Sequence, residues 1–257
     1  MATADLLASL PVWAFAFTLV LARTSVAVML LPGLGEADPP AIIRAGLAVA
    51  LTAVLLPAAL PLMPPLPAGM GQLAGMVAAE MLSGALLGWL ARLIALALPI
   101  AGGITSLLLG LASVLQPDPG LGGQSTALAR LLNLAVPVII LSSGMYALPL
   151  EALAGSYGLV PPGEWLPVGA AAETVTAAVA QSFLLAMRLS APFILSGFIV
   201  QAALGLLARL VPQLQVYAIA IPGQILAGLA LFALLARPLL DTWQEAVRSA
   251  WLVLPGL

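Results

Sequence analysis

The sequence contains no cysteine, no histidine and no lysine among its 257 residues. Disulfides and metal sites built from thiolates or imidazoles are therefore excluded. Catalytic pairs and triads that need one of these three residue types lose a required member, and so does a phosphate-binding P-loop. Ser125 follows a glycine-rich run, but no histidine or lysine exists to activate its hydroxyl. We therefore expect no enzyme activity, no metal and no cofactor.

Charged residues of either sign are also scarce. They make up 7% of the chain, whereas 63% of the residues are hydrophobic and the mean hydropathy is +1.17. A soluble domain carries about a quarter charged residues, so this chain has too little polar material to coat a water-facing surface. The eight basic residues are scattered arginines and the net charge is -2, which gives no basic patch for nucleic acid. The composition indicates an integral membrane protein surrounded by lipid.

Apolar segments long enough to cross a bilayer recur along the chain. A spanning helix needs roughly 20 apolar residues to cross about 30 Å of hydrocarbon. Six segments meet this length: Leu10–Leu31, Ile42–Leu62, Gln72–Leu98, Ala127–Leu148, Glu173–Arg209 and Tyr217–Leu240. A shorter stretch, Ile104–Leu115, predicts a half-helix or re-entrant piece. We expect an all-α polytopic membrane protein, with about six long apolar helices as kinked hairpins plus a short half-helix and a glycine-rich loop. Residues 1–257 are expected to form a single domain.

The fifth segment is longer than a bilayer requires. Glu173–Arg209 would form a rod of roughly 55 Å as one helix. Pro192 lies four residues after Arg188, where its ring is predicted to kink the helix. Either the segment is a broken hairpin or part of it projects beyond the membrane, and both alternatives suggest packing inside a larger assembly.

Arg23 lies near the middle of the first apolar segment, Glu80 and Arg92 lie in the third, and Arg188 lies deep in the fifth. A central Arg or carboxylate costs at least about 2.5–3.5 kcal/mol on insertion scales. Each should therefore face a protein partner or a wet cavity, unless it forms a structural ion pair or snorkels. Glu80 and Arg92 lie about 18 Å apart along a helix, so they cannot pair with each other.

Small and polar residues repeat every four positions in two segments, which places them on one helix face. The first stripe is Glu80, Gly84, Gly88 and Arg92, and the second is Gly197, Gln201, Gly205 and Arg209. Such stripes let another helix backbone approach closely. Packing within the chain and contact with another subunit both remain open for these residues and for Arg188.

A glycine-rich segment follows the short half-helix. Its candidate residues are Gln116, Pro117, Asp118, Pro119, Gly120, Gly122 and Gly123. Irregular backbone at membrane depth is tolerated only where it is buried in protein or lines water. A segment with no bulky side chain could close a pore and still move aside. The alternative is an ordinary exposed turn capped by Ser125 or Thr126.

Residues 209–217, R-L-V-P-Q-L-Q-V-Y, resemble the FliR family motif R-x-x-P-Q-x-N-x-F, which is followed by Pro-x-Lys near the next helix start. Gln215, Tyr217 and Gln224 stand where that family usually has Asn, Phe and Lys. Further matching positions are Arg23, Pro32, Pro39, Pro40, Arg44, Glu80, Gly84, Gly88, Asp118 and Pro119. The resemblance runs from about residue 10 to residue 240.

The resemblance to the FliR family implies a core subunit of a type III protein export gate in the bacterial inner membrane, at the flagellar basal body. It implies FliP-like and FliQ-like membrane partners, FlhB-like and FlhA-like export components, and unfolded proteins as export substrates. The glycine-rich segment would be the channel plug. Arg209, Pro212, Gln213 and Gln215 would form a partner-facing loop. The injectisome version of the same subunit and a secondary transporter of a small solute are the alternatives, and a membrane-bound enzyme comes third.

Overall fold

The computed structural model describes residues 2–36, 39–110, 126–210 and 216–256, and every regular element in these ranges is helical. The helices are α1 Ala2–Leu30, α2 Ala41–Ala59, α3 Met70–Ala95, α4 Ala97–Leu108, α5 Ala127–Ser142, α6 Ala147–Leu159, α7 Val168–Leu210 and α8 Val216–Trp251. A short 3-10 helix, Leu60–Leu62, follows α2. The predicted all-α membrane fold is confirmed.

Five of the apolar helical stretches are long enough to cross a membrane: Leu10–Leu30, Ala41–Leu62, Met70–Leu108, Val168–Leu210 and Pro222–Trp251. The pair α5 and α6 adds a sixth if the two helices count as one span broken by a bend of 71°. About six apolar spans were predicted, and the structure has five or six among its described residues.

Two predicted boundaries are wrong. Ala127–Leu148 was predicted as one span, but the helix breaks after Ser142 and a new helix begins at Ala147. Gly144 has a φ of +74° at the break, a left-handed conformation that ends a helix readily only at glycine. Ile104–Leu115 was predicted as a separate half-helix. Residues 104–108 of this range are instead the last part of α4, and α4 follows α3 after the single residue Leu96.

Local side-chain chemistry fixes several helix ends. The Thr126 hydroxyl accepts a hydrogen bond from the Ala129 amide at 3.3 Å and so caps the start of α5. The side chain of Gln72 accepts one from the Ala68 amide at 2.9 Å just before α3 begins. Gly110 follows α4 with a φ of +74°, which ends that helix.

The last two helices are the longest. α7 has 43 residues and α8 has 36, so they measure about 65 and 54 Å. Pro192 lies inside α7 without dividing it, and the broken-hairpin alternative for this segment is therefore wrong. The predicted end of the last span, Leu240, was short because Asp241, Gln244 and Glu245 interrupt the apolar pattern without ending the helix.

The packing divides the chain into two compact units. Unit 1 comprises Met1–Leu93, Pro137–Val179 and Ser249–Leu257, and unit 2 comprises Ile94–Val136 and Ala180–Arg248. The expectation of a single domain stays a prediction. Each unit has buried apolar residues of its own.

In unit 1, α1 packs along α2. The Thr24 and Thr52 hydroxyls lie 2.6 Å apart at this contact, and both side chains are buried. Residues near the C-terminus complete the unit: the Trp251 indole donates to the Ala91 carbonyl at 3.2 Å. Gly256 packs so closely against Gly155 that a Cβ on either residue would collide with the other's backbone or its neighbours.

In unit 2, rings and hydroxyls of α7 and α8 contact each other, α4 and the last residue of α3, Ala95. The Phe193 and Phe232 ring centroids lie 6.1 Å apart. The buried Ser190 hydroxyl donates to the Ala186 carbonyl of its own helix at 2.8 Å and lies 3.4 Å from the Ala101 carbonyl of α4. The Trp243 indole donates to the Ala95 carbonyl at 3.2 Å.

Candidate functional site

A buried ion pair joins α1 to α3 in unit 1. The Arg23 Nε donates to Glu80 Oε2 at 2.9 Å and its Nη2 donates to Glu80 Oε1 at 3.0 Å, and both side chains are 0% exposed. This forked geometry is the strongest pairing of a guanidinium with a carboxylate. Arg23 of the first predicted span and Glu80 of the third thus neutralise each other's charge.

A third segment, around the end of α6, completes the coordination of this pair. The Arg23 Nη1 donates to the Ser156 hydroxyl at 3.0 Å, and Nη2 also donates to the Val160 carbonyl at 2.9 Å. The Gly163 amide donates to Glu80 Oε1 at 2.7 Å. Each charge therefore has neutral hydrogen-bond partners besides the opposite charge, as a buried pair requires. Residues from three separate parts of the sequence meet at one point.

Tyr157 covers the guanidinium. Its ring centroid lies 4.2 Å from the Arg23 Cζ, a cation–π geometry. The Tyr157 hydroxyl is buried and has no hydrogen-bond partner in the described part of the chain. Stacking on Arg23 and apolar packing with Val20 and Ala59 therefore hold this side chain.

The first predicted stripe faces α1 along its whole length. A Cβ at Gly84 would collide with the Arg23 carbonyl, and a Cβ at Gly88 would lie 2.7 Å from the Leu30 Cβ. Arg92 ends the stripe: its Nη1 donates to the Leu30 carbonyl at 3.3 Å. Because the contacts advance in the same direction on both helices, α1 and α3 run parallel, as spans one and three of an alternating chain must.

Arg92 also has its own acidic partner. Its Nη2 lies 3.4 Å from Glu36 Oε2, and the two side chains are 26% and 20% exposed. Glu80 therefore pairs with Arg23, and Arg92 pairs with Glu36. Glu80 and Arg92 do not pair with each other.

A second close-packed point surrounds the end of α4 in unit 2. The Gln224 Nε2 of α8 donates to the Leu108 carbonyl at 2.8 Å. A Cβ at Gly197 of α7 would lie 3.2 Å from the Leu108 Cβ, and a Cβ at Gly228 of α8 would lie 3.0 Å from the Leu109 Cγ. Two long helices thus hold the last turn of α4 through two glycines and one amide. We call these contacts the α4 clamp.

The rest of the second stripe is not packed against the chain. Gln201, Gly205 and Arg209 are exposed, and nothing lies within 4 Å of a Cβ built on Gly205. Of this stripe, the structure buries Gly197 alone. Arg188 is exposed on α7 as well.

Two groups of predicted site residues fall outside the described residues. The plug candidates Gln116, Pro117, Asp118, Pro119, Gly120, Gly122 and Gly123 form one group. Pro212, Gln213 and Gln215 of the predicted partner-facing loop form the other.

Sequence reasoning missed Ser156, Tyr157 and Gly163, because isolated small or aromatic residues carry no signal of their own. It also missed the role of Gly228 and treated Gln224 only as a departure from a family motif. The spacing of Gln224 and Gly228, four residues apart, repeats the small-and-polar pattern of the two stripes and was the available signal.

The Arg23–Glu80 pair is enclosed and its donors and acceptors are occupied by the chain itself. Among the described residues, no group of three or more Asp, Glu, His or Cys could hold a metal ion. The geometry serves helix placement.

Comparison with known proteins gives one family across nearly the whole chain. The family described as bacterial export proteins, family 1, matches residues 14–250. Among similar proteins, the flagellar biosynthetic protein FliR of Caulobacter vibrioides is 32% identical over 231 residues, which cover 90% of this chain and 92% of that protein. The FliR of Bacillus subtilis is 29% identical, with 82% of each chain covered. The Yop proteins translocation protein T of Yersinia pestis is 29% identical over 57% of each chain.

Proposed function

This chain belongs to family 1 of the bacterial export proteins, and from that membership we propose that it lines the channel of a type III protein export gate and closes it with its glycine-rich segment. The chain is a subunit of the type III export gate. The flagellar branch is favoured, because the flagellar relative aligns over 90% of this chain and the Yersinia translocation protein over 57%. The family is a structural component of the export apparatus, which agrees with the enclosed ion pair.

The observation that carries the subunit role is the exposed length of α7. Large apolar side chains are exposed from Phe183 to Leu210, and eight of the 43 residues of the helix are buried. At the average tilt of about 20°, this exposed stretch of about 40 Å would extend about 38 Å along the membrane normal. A hydrocarbon layer of about 30 Å cannot cover that surface. Other subunits must cover the remainder.

Those other subunits are FliP-like and FliQ-like membrane proteins, with FlhB-like and FlhA-like components as further partners and unfolded proteins as the export substrates. The motif resemblance at residues 209–217 supports this set. Arg209 is exposed at the last turn of α7, as a partner-facing loop beginning there requires. The membrane is the bacterial inner membrane, and the assembly lies in the flagellar basal body.

The α4 clamp supports the plug role of residues 116–123. The clamp fixes Leu108 and Leu109 through Gln224, Gly197 and Gly228, and Gly110 then ends the helix. A segment that closes a channel and moves aside needs an anchored starting point in the fold. Without such an anchor, the segment would not return to the same closed position. Gln224 provides a side-chain donor to a helix-end carbonyl, and the lysine usual in the FliR family can do the same.

Deletion of Gly120–Gly123 tests the plug. We expect the assembled gate to leak ions across the membrane, because the glycines that fill the channel are gone. Conductance or growth under osmotic stress measures the leak. Deletion of Pro65–Pro67, three residues of the connection between α2 and α3, is the control and should leave the gate sealed. A Gly120–Gly123 deletion that stays sealed and exports normally would exclude the plug role.

A further inference from the structure

Arg188 lies in the middle of an apolar helix and has no partner among the residues that the structure describes. It is exposed on α7 and has no hydrogen bond or ion pair to any described residue. It lies about 30 Å from each end of the helix, since roughly 20 residues separate it from Val168 and from Leu210. Neither end of the helix is therefore within reach of the Arg188 side chain.

The other exposed arginines differ in this respect. Arg130 lies in the first turn of α5, and Arg209 and Arg248 lie in the last turns of α7 and α8. Arg237 lies 4.0 Å from Asp241 on its own helix. Each of these has a helix end or an acid within reach, and among the described residues Arg188 has neither.

A cleft of about 180 Å³ opens beside Arg188 in unit 2. Its lining is Arg188, Leu189, Pro192, Leu235, Pro238, Leu239 and Thr242. The Thr242 hydroxyl already donates to the Pro238 carbonyl at 2.7 Å, so the guanidinium is the free donor of the cleft. The cleft therefore presents one positive charge inside an apolar rim.

We propose that this cleft receives a carboxylate side chain carried by an apolar helix of a partner subunit of the gate, a step that rests on the proposed function. The forked donors of an arginine match a carboxylate, and Arg23 with Glu80 shows the same solution inside this chain. A cation within an apolar segment requires such a counter-charge. Arg188 thus specifies where an acidic residue of the partner docks on α7.

The surroundings of Arg188 favour a protein carboxylate over a lipid phosphate. The exposed neighbours of Arg188 on α7 are mostly apolar and include Phe183, Leu184, Met187 and Leu195, whereas Gln181 is the exposed polar neighbour. Residues at the headgroup level are typically Trp, Tyr, Lys or Arg, and α7 contains neither Trp nor Tyr. Arg188 therefore lies among residues typical of the hydrocarbon layer or of a protein contact.

The test is co-purification of the full chain with its membrane partner subunits after co-expression. Arg188→Leu and Arg188→Glu should lower the recovery of at least one partner by about tenfold or more, because a partner carboxylate loses its counter-charge. Arg188→Lys keeps the charge but not the forked donors, so it should retain part of the recovery. Arg237→Leu removes one exposed charge whose partner lies on the same helix, and it should leave recovery unchanged.

A charge exchange identifies the docked acid. Arg188→Glu combined with an acid-to-arginine change in a partner's apolar helix should restore recovery about tenfold at one position. Failure of every such exchange, with Arg188→Leu still assembling normally, overturns the inference. Arg188→Leu that weakens binding to phosphatidylglycerol vesicles while partner recovery is unchanged would assign a lipid instead and equally overturn it. If the unchanged chain fails to co-purify with any partner, the proposed function itself fails.

Discussion

At the scale of single residues, Arg23 and Glu80 tie three segments together at one buried point. Replacing a buried pair by apolar residues is often neutral, whereas removing one member leaves an uncompensated charge. Arg23 and Glu80 have all of their hydrogen-bond partners only when α1, α3 and the end of α6 have come together. The pair therefore favours the correct assembly of unit 1.

Removal of one member of the pair should destabilise the protein more than removal of both. We expect Glu80→Leu and Arg23→Met each to cost about 3–5 kcal/mol, because the remaining charge stays buried, and the double variant to cost less than either. Thermal unfolding of the detergent-purified chain measures the difference. Arg92→Leu is the control, and it should cost about 1 kcal/mol or less since its pair with Glu36 is partly exposed. Equal effects at Arg23 and Arg92 would contradict the assignment.

The sequence predicted that Arg23, Glu80 and Arg92 need partners, because they lie in apolar segments where an unpaired charge is costly. It could not say which residues pair. Arg23 and Glu80 are 57 positions apart and lie on different helices. Helical periodicity relates residues within one helix only, so it cannot indicate this pairing. Ser156 contributes a hydroxyl and Gly163 a backbone amide. Because any exposed loop also contains such groups, the sequence does not mark these two residues as partners of the pair.

At the scale of helices, Gly84 and Gly88 set the distance between α1 and α3. The four-residue spacing predicted a shared face, and the structure places that face against α1. The bend between α5 and α6 could not be predicted in the same way, because Ala147–Leu159 is apolar enough to continue a span and the break depends on the backbone conformation of Gly144.

A pair of alanine substitutions on α3 separates close packing from helix propensity. Gly75→Ala meets nothing within 4 Å, so it should be neutral or stabilise by up to about 1 kcal/mol. Gly84→Ala gains the same propensity but collides with the backbone of α1, so it should destabilise by about 1–3 kcal/mol. Unfolding midpoints of the two purified variants give the comparison. A stabilising Gly84→Ala would mean that the helices are farther apart than described.

At the scale of the whole molecule, α7 presents more apolar surface than lipid can cover. Composition predicted the membrane, and segment length predicted an over-long fifth helix. Neither could predict that this helix is continuous through Pro192, because a proline kink and a proline break have the same sequence.

Cysteine labelling tests whether protein covers α7, and the chain offers a background free of native cysteine. Phe183 and Leu210 are 59% and 70% exposed and lie about 40 Å apart along the helix. In liposomes containing the chain alone, a membrane-impermeant maleimide should label Phe183→Cys or Leu210→Cys. At the average tilt of about 20° the two positions lie about 38 Å apart along the membrane normal, and the hydrocarbon layer of about 30 Å cannot hide both. The assembled gate should protect the labelled position.

Phe193→Cys is the matched control for this labelling, because Phe193 lies between the two positions and is 0% exposed. It should stay unlabelled in both preparations. Undiminished labelling of Phe183→Cys or Leu210→Cys in the assembled gate would mean that no partner covers this helix.

The contacts of Trp251 and Gly256 with residues 91 and 155 have a consequence for biosynthesis. Unit 1 begins with the N-terminal helix, yet its packing is finished by residues translated more than 150 positions later than Ala91. The ribosome must therefore translate through residue 256 before the first helices to enter the membrane reach their final neighbours, and until then the insertion machinery has to shelter an incomplete intermediate.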